Sequence, residues 1–597
     1  MRVGIDTGGT FTDVVTADGR IAKVPSTPDD PGLGVRSGLA AILGDQRPSV
    51  LAHGTTVATN ALLERRGARV ALVTTTGLAD VIEIGRQDRP SLYDPWADRP
   101  VPLVGRTWRH EVGGRLDAAG RELEPLDPTS IPALDAGVEA VATCLLHADL
   151  DPTHERLVQQ VLEERGLDVS SSHDVSPEFR EYERTVTTVV NAYLRPACRA
   201  YLARLADVAA DVLVMTSAGG LVPVADGARH PARLLLSGPA GGVGAAAAIA
   251  AANGYPDAIT FDMGGTSTDV CLVIAGRPEP AAERVVGGFP VRLPSLDVHT
   301  IGAGGGSIAG LDPGGALVVG PRSSGAVPGP ACYGLGGTEP TVTDADLVAG
   351  RLPEGVSLPG IGTLDRAAAE RALTGAGVDA DGVIAVVEAA MEQALRTVSV
   401  ARGVDPRHLA LVAFGGAGPL HACGLADALG MAAVVIPPRA GVLSAVGLLC
   451  GPRQHDVVRS WPDPADHLGL PGALAALADE ARQAVGGDPA EVEVTTAVDC
   501  RYAGQSHELA VPSVEAFGDE HWRRNGFDRP DTPVEVVALR ATARRAAPIR
   551  VTDLPVAVRP VVTGPVVLAE PDCTVFVPAG WTGEPGEAGA LVLRRTR

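Results

Sequence analysis

Residues 3–5 and 258–261 are short apolar runs of β type. Each is followed, after a glycine-containing polar turn, by a second run, 14–16 and 270–274, so each pair predicts a hairpin. Residues 49–52 form another strand-like run ahead of a helix start, and 409–413 lead into a glycine-rich turn that opens a helix through Cys423 to Leu429. The most apolar stretch, 240–252, is built of Ala and Gly and is shorter than the ~20 residues a membrane span needs, so it predicts a buried helix. A Glu/Arg-rich helix is expected over 177–199, ending at Arg195-Pro196. The polar, proline-containing stretch 459–466 reads as a linker, after which 492–498 and 534–539 alternate as strands.

The two hairpins carry one pattern twice. Asp6-Thr7-Gly8-Gly9-Thr10-Phe11-Thr12-Asp13-Val14 and Asp262-Met263-Gly264-Gly265-Thr266-Ser267-Thr268-Asp269-Val270 share D-x-G-G-T-x-T-D-V. Paired glycines let a backbone approach a ligand and aim successive N–H groups at phosphate oxygens, and the hydroxyls of Thr7, Thr10, Thr12, Thr266, Ser267 and Thr268 add donors. Asp6 and Asp262, at the strand ends, suit a hydrated Mg2+ or the orientation of an attacking group. Asp13 and Asp269 are catalytic candidates beside them. One such turn alone reads as a tight hairpin; two matching copies point to a bound nucleotide. A third turn, Gly415-Gly416-Ala417-Gly418, opens a helix and offers bare backbone to an anion or a flat base.

Composition narrows the chemistry. A chain of 597 residues exceeds the size of one growing core, so several domains with clefts between them are expected. A net charge of -22, spread along the chain, disfavours nucleic acid and anionic membranes as partners. The start runs directly into a strand with no room for a signal peptide, and a cytoplasmic protein is expected. The 8 cysteines include no CxxC pair and read as core thiols. Lys23 is the sole lysine and has no motif around it, so a Walker A loop or a kinase-type strand lysine is excluded unless Lys23 serves.

Hairpins with phosphate-type turns and a later G-G-A-G-P turn resemble the actin/Hsp70/sugar-kinase ATPase superfamily. Longer strings are similar to the hydantoinase/oxoprolinase family: V-G-I-D-T-G-G-T-F-T-D at 3–13, H-G-T-T-V-A-T-N-A-L-L-E at 53–64, S-P-E-F-R-E-Y-E-R at 176–184 and S-G-P-A-G-G-V at 237–243. Further strings are D-V-H-T-I-G-A-G-G-G-S at 297–307, P-G-P-A-C-Y-G at 328–334, P-T-V-T-D-A at 340–345, G-V-L-S-A-V-G at 441–447 and R-Y-x-G-Q-x-x-E-L at 501–509. The resemblance implies an α/β fold of duplicated actin-like, ribonuclease H-like lobes around a nucleotide cleft, plus a β-rich C-terminal domain. It implies domains over 1–178, 179–452 and 465–597. It also implies ATP and Mg2+ as cofactors, O-phosphorylation of a cyclic amide such as a hydantoin, 5-oxoproline or another lactam, and a separate B-type subunit in a hetero-oligomer. The ATPase subunit of a ketone carboxylase, or a non-catalytic actin-like switch, are the competing expectations.

Each substrate-side candidate has a structural alternative. His53, Thr55 and Thr56 open a helix and suit a phosphoryl or substrate oxygen, against a capped helix with His53 in a core contact. Arg86 and Arg89, in a proline-fixed loop, suit a bidentate clamp, against solvated surface charge. Asp297 and His299, on one face of a strand before a glycine-rich turn, suit a general base or metal pair, against a buried hydrogen bond. The mixed charges of Glu178, Arg180, Glu181, Glu183 and Arg184 predict ion pairs on a helix surface. Ser237 to Gly242 predicts a hinge or a close-packed helix start.

Overall fold

The computed structural model describes residues 1–27, 30–355, 357–358 and 361–596. Its fold is α/β, with two large sheets that repeat one local topology. In the first, Arg2–Thr7 and Phe11–Thr16 form an antiparallel hairpin, and Val50–Thr55 lies parallel on the other side of Arg2–Thr7. In the second, Ala258–Met263 pairs antiparallel with Thr268–Ile274 and parallel with Ala410–Phe414. The register is also repeated, with Asp6 opposite Asp13 and Asp262 opposite Asp269.

The two sheets meet through a pair of helices, Gly238–Ala252 and Leu443–Leu449. A Cβ at Gly447 would lie 1.8 Å from the Gly241 carbonyl oxygen, so these helices touch backbone to backbone, a distance only glycine permits. Gly242 is packed as tightly, with Phe414 and Ser444 within 2.8 Å of the place a Cβ would take. The Ser237 to Gly242 segment is therefore a close-packed helix start. A four-stranded parallel sheet, ordered Val169–Ser171, Ala140–Cys144, Val70–Thr75, Arg109–Val112, forms a smaller layer against the helix Glu181–Ala203. That helix continues past the expected stop at Arg195-Pro196, carrying Pro196 inside it, because its apolar face stays buried through Tyr201 and Leu202.

Strands from distant parts of the chain share each sheet. Ile21–Pro25, Asp211–Met215, Leu221–Pro223, Arg453–Ser460, Val492–Tyr502, Leu509–Val511 and Val534–Arg545 all join the first sheet, giving it ten strands. Val562–Thr563, Trp581–Pro585 and Leu591–Arg595 join the second. The C-terminal segment thus completes both lobes, and the expected linker at 459–466 begins inside a strand. The charges around residue 180 also differ from expectation, since most are buried and bond across the chain. Glu178 accepts from Arg292 and Arg540, each at 3.0 Å, Arg180 pairs with Glu508, and Arg184 pairs with Asp149. A helix-spaced charge pattern cannot distinguish solvent from a distant partner as its neighbour.

All eight cysteines are free and seven of them are buried. Among the described residues no helix is long and apolar enough to cross a membrane.

Candidate functional site

The repeated turns close identically. Gly8 N–H donates to the Phe11 carbonyl at 3.0 Å and Gly264 N–H to the Ser267 carbonyl at 3.0 Å. They also face one another, since a Cβ at Gly265 would lie 3.2 Å from Thr10 Oγ1. Gly9, Gly265 and Thr266 are exposed at this meeting point, which leaves their N–H groups open to a ligand.

Each strand-end aspartate rests against a glycine. A Cβ at Gly54 would be 2.7 Å from Asp6 Oδ1, and one at Gly415 would be 2.4 Å from Asp262 Oδ1. Gly415 also holds a left-handed φ of 79°, so two constraints favour glycine there. The Gly415 to Gly418 turn is anchored by Ala417 N–H to the Met263 carbonyl at 3.0 Å and opens the helix Gly418–Leu429. A further loop, 302–306, clasps the second turn, with Gly305 N–H on the Gly264 carbonyl at 3.0 Å and Gly306 N–H on the Gly265 carbonyl at 2.6 Å.

Carboxylate crowding dominates the electrostatics. Burial, then Asp13, pushes Asp6 up from 3.8 to about 7, with Lys23 opposing. Asp262 is raised well above the ordinary value by burial and by Asp269, Asp6 and Asp13, with a Ser444 hydrogen bond opposing. Burial lifts Asp269 to about 6, relieved by the Thr300 hydroxyl at 2.5 Å and by Arg284. Asp13 is raised by burial and held down by Lys23. Such a cluster is stabilised by an added cation. Among the described residues no three His, Cys, Asp or Glu side chains gather into a ready metal cage. That donor set fits a cation held by one or two carboxylates and completed by water or phosphate, the habit of Mg2+. The Thr7 hydroxyl, buried without a protein partner, is a further open donor or acceptor beside Asp6.

Several expected site residues have other tasks. The Thr12 hydroxyl meets Ser26 Oγ at 3.2 Å and Thr268 donates to the Ala303 carbonyl at 2.6 Å, so both are spent on bracing their turns. His53 is fully buried, with Nε2 2.7 Å from the Tyr201 hydroxyl and Nδ1 3.2 Å from the Ile5 carbonyl, and burial lowers it to about 4. It is a core histidine and presents no free nitrogen. Thr55 is buried and accepts from Val57 N–H at 3.2 Å, while Thr56 stays half-buried at the helix start. Arg86 is engaged by Glu183 at 2.5 and 2.7 Å; Arg89 is exposed. Asp297 lies just before the strand Val298–Ile301 and is paired with Arg402. His299 stands opposite Val270, one step out of register, so Thr300 is the residue facing Asp269.

The fold also brings here groups outside the candidate site residues of the sequence. Lys23 stands opposite Asp13 on the strand Ile21–Pro25, with Nζ 2.8 Å from Asp13 Oδ1 and 3.2 Å from the Gly441 carbonyl. Its uniqueness was the available signal. Ser444 and Thr343, which donates to the Gly305 carbonyl at 2.8 Å, both fall inside strings singled out in the sequence. Arg284, beside Asp269 and with a buried Nη1 that lacks a partner, carried no sequence signal.

Comparison with known proteins adds the family. Residues 184–456 match hydantoinase/oxoprolinase and residues 2–166 match the hydantoinase/oxoprolinase N-terminal region. The chain is 35% identical to caprolactamase subunit alpha of Pseudomonas jessenii, over 97% of each chain. It is 35% identical to the acetophenone carboxylase gamma subunit of Aromatoleum aromaticum, over 74% of this chain and 67% of that one. The crystal structure of ATP-dependent caprolactamase from Pseudomonas jessenii superposes with a TM-score of 0.85 at 32% identity, covering 100% of both chains.

Proposed function

The chain belongs to the hydantoinase/oxoprolinase family, and from that premise we propose that it uses ATP to activate a cyclic amide for ring-opening hydrolysis, together with a separate B-type subunit. The observation that carries this reading is the approach of the two repeated turns, Thr10 to Gly265, over a crowd of four carboxylates. Open N–H groups on both sides and an excess of half-buried negative charge suit a triphosphate bound with a divalent cation. The similarity to a caprolactamase subunit over 97% of each chain favours amide hydrolysis over ketone carboxylation.

A lactam carbonyl is a poor electrophile because nitrogen donates into it. In the proposed reaction the amide oxygen attacks the γ-phosphorus and ADP leaves, which turns that oxygen into part of a phosphate leaving group. Water then adds to the activated carbon, the ring C–N bond breaks as the nitrogen takes a proton, and a second water releases phosphate from the resulting acyl phosphate to leave the carboxylate. Gly8, Gly9, Thr10, Gly264, Gly265, Thr266 and Ser267 would hold the phosphates, and Gly415, Gly416, Ala417 and Gly418 would border the nucleoside. Asp6 and Asp262 would hold Mg2+ through water, with Asp13 and Asp269 shaping the field around them. When bound, Mg2+ supplies charge neutralisation for the transferring phosphoryl group. Lys23 would keep Asp13 ionised, and the unpartnered Nη1 of Arg284 is placed to meet an oxygen near Asp269.

The test is ATP turnover by the purified chain with its B-type partner across hydantoins, 5-oxoproline, other lactams and ketones. Stimulation by a cyclic amide is the expected result. Stimulation by ketones and bicarbonate alone would move the chain to carboxylation, and no stimulation by any of them would overturn the reading.

A further inference from the structure

A cavity of about 480 Å³ shares no lining residue with the paired turns. Its walls come from the strand Arg453–Ser460, the helix Val224–Arg229 and the segment 173–178, so three distant parts of the chain close it. The volume falls in the range of small-molecule sites.

Most charges on its walls are already paired. Asp174 accepts from His230 at 3.0 Å and Arg229 at 2.8 Å. Glu480 accepts from Arg459 at 2.7 Å, and Glu178 is held by Arg292 and Arg540. What remains is balanced and specific. Among the described residues the Arg233 guanidinium has neither a hydrogen-bond nor an ion-pair partner, although it is drawn out of water far enough for burial to lower its proton affinity. Arg156, at the rim, is also without a partner among the described residues. On the acidic side Asp226 has none among them, and Asp456 accepts only from neutral donors, Thr542 Oγ1 at 2.6 Å and Gln454 Nε2 at 2.8 Å. Arg233, Asp226 and Asp456 all line this one cavity, so leftover charges of opposite sign face the same space.

The half-buried Arg233 guanidinium has five N–H donors to satisfy and matches a carboxylate in two parallel bonds. Two carboxylates on one cavity, neither with a cationic partner among the described residues, are matched by an ammonium. We propose that this cavity binds a small amino acid as a zwitterion, its carboxylate on Arg233 and its ammonium between Asp226 and Asp456. The assignment of its source rests on the proposed activity. When a lactam opens, the C–N bond breaks, the acyl carbon takes the oxygen of water and the nitrogen takes its proton, so one amide becomes one carboxylate and one amine. The cavity therefore suits the product of that reaction, at a place separate from the turns.

The test is calorimetric titration of the full chain, without nucleotide, with L-glutamate and 6-aminohexanoate. Succinate and 1,4-diaminobutane serve as probes carrying one sign of charge. Saturable binding of at least one zwitterion is expected, weakened roughly 10- to 100-fold in Arg233→Met and in Asp226→Asn. Asp226 is exposed on a short helix and unpaired, so its variant keeps the test valid if Arg233→Met fails to fold. Absence of binding up to about 10 mM, equal binding by the folded variants, or equally tight binding of succinate or diaminobutane would each overturn the proposal. ATP turnover is scored apart from these titrations. Turnover without zwitterion binding removes the cavity proposal alone, and binding without turnover removes the proposed activity and the ligand's source, leaving the cavity.

Discussion

Replacing Asp6 with Asn should stabilise the nucleotide-free protein while abolishing its ATP turnover, and the gain should grow with pH. Burial and Asp13 raise the Asp6 carboxyl from 3.8 to about 7 in the folded chain. Between those values the native state holds a proton that the unfolded state has lost, so stability falls as pH rises. At 1.36 kcal/mol per unit, the cost to the folded state is about 1.6 kcal/mol at pH 5 and levels off at about 4 kcal/mol above pH 7. Asn carries no such cost at either pH. The difference in stability between Asp6→Asn and the native protein should therefore widen by roughly 2–3 kcal/mol from pH 5 to pH 8. Urea midpoints of both proteins at the two pH values, without nucleotide or Mg2+, measure it. Mg2+ should then narrow the gap at pH 8 by stabilising only the native protein, by about 2.7 kcal/mol at a hundredfold excess over its Kd. A gap that stays constant or shrinks as pH rises would refute the claim that Asp6 sits in an uncompensated carboxylate cluster.

Lys23 opposes the rise of both Asp6 and Asp13, so Lys23→Met should move the acid limb of the pH profile of kcat to higher pH, by at least about one unit. An unmoved limb would show that the ammonium does not act on these carboxylates. Gly415→Ala places a Cβ 2.4 Å from Asp262 Oδ1 at a φ of 79°, which should cost about 1–3 kcal/mol in thermal melting and remove turnover. Thr300→Val should raise Asp269 and depress turnover most at low pH, whereas Asp297→Asn should leave turnover within about twofold, because Asp297 is engaged by Arg402. Steady-state rates of the two variants between pH 5.5 and 8, taken as round values about the Asp269 titration near 6, separate those roles.

The duplicated hairpins were legible because both their signals are local. Apolar runs, a two-glycine turn and a repeated nine-residue string sit within a few residues of each other, and the fold keeps them in matching register. The Glu/Arg helix was legible in kind but not in length, since Pro196 reads as a stop while the packing of Tyr201 and Leu202 overrides it. The site was legible where backbone mattered, at Gly8, Gly9, Gly264, Gly265 and Gly415. It was less legible where side chains mattered. His53, Thr12 and Thr268 have the right chemistry beside the right turns, yet each finds an internal partner that spacing alone does not reveal. For Lys23 the decisive fact is cross-strand: a third strand folds back on the hairpin and places the ammonium opposite Asp13. A motif search finds nothing there, because the pairing partner lies ten residues away on a strand with no pattern of its own.

In the last third of the chain, strand pairing does not follow sequence order. Segment order suggests three bodies in succession, but strand pairing depends on which sheet edge is free when a segment arrives. Arg453–Ser460 extends the first sheet beyond Leu221–Pro223, and Val534–Arg545 and Val492–Tyr502 carry that sheet outward. The chain then crosses to the second lobe, where Leu591–Arg595 pairs antiparallel with Ala433–Ile436 and gives Trp581–Pro585 its own edge. Arg559 secures the crossing by donating to the Ile436 carbonyl at 2.6 Å and the Pro437 carbonyl at 3.0 Å. Ending the chain near residue 452 would expose an edge on both sheets at once, take Arg540 from the buried Glu178, which would keep Arg292 alone, and take Glu508 from Arg180. The lobes that carry the paired turns are thus finished, and tied to each other, by a segment that contributes no residue to those turns.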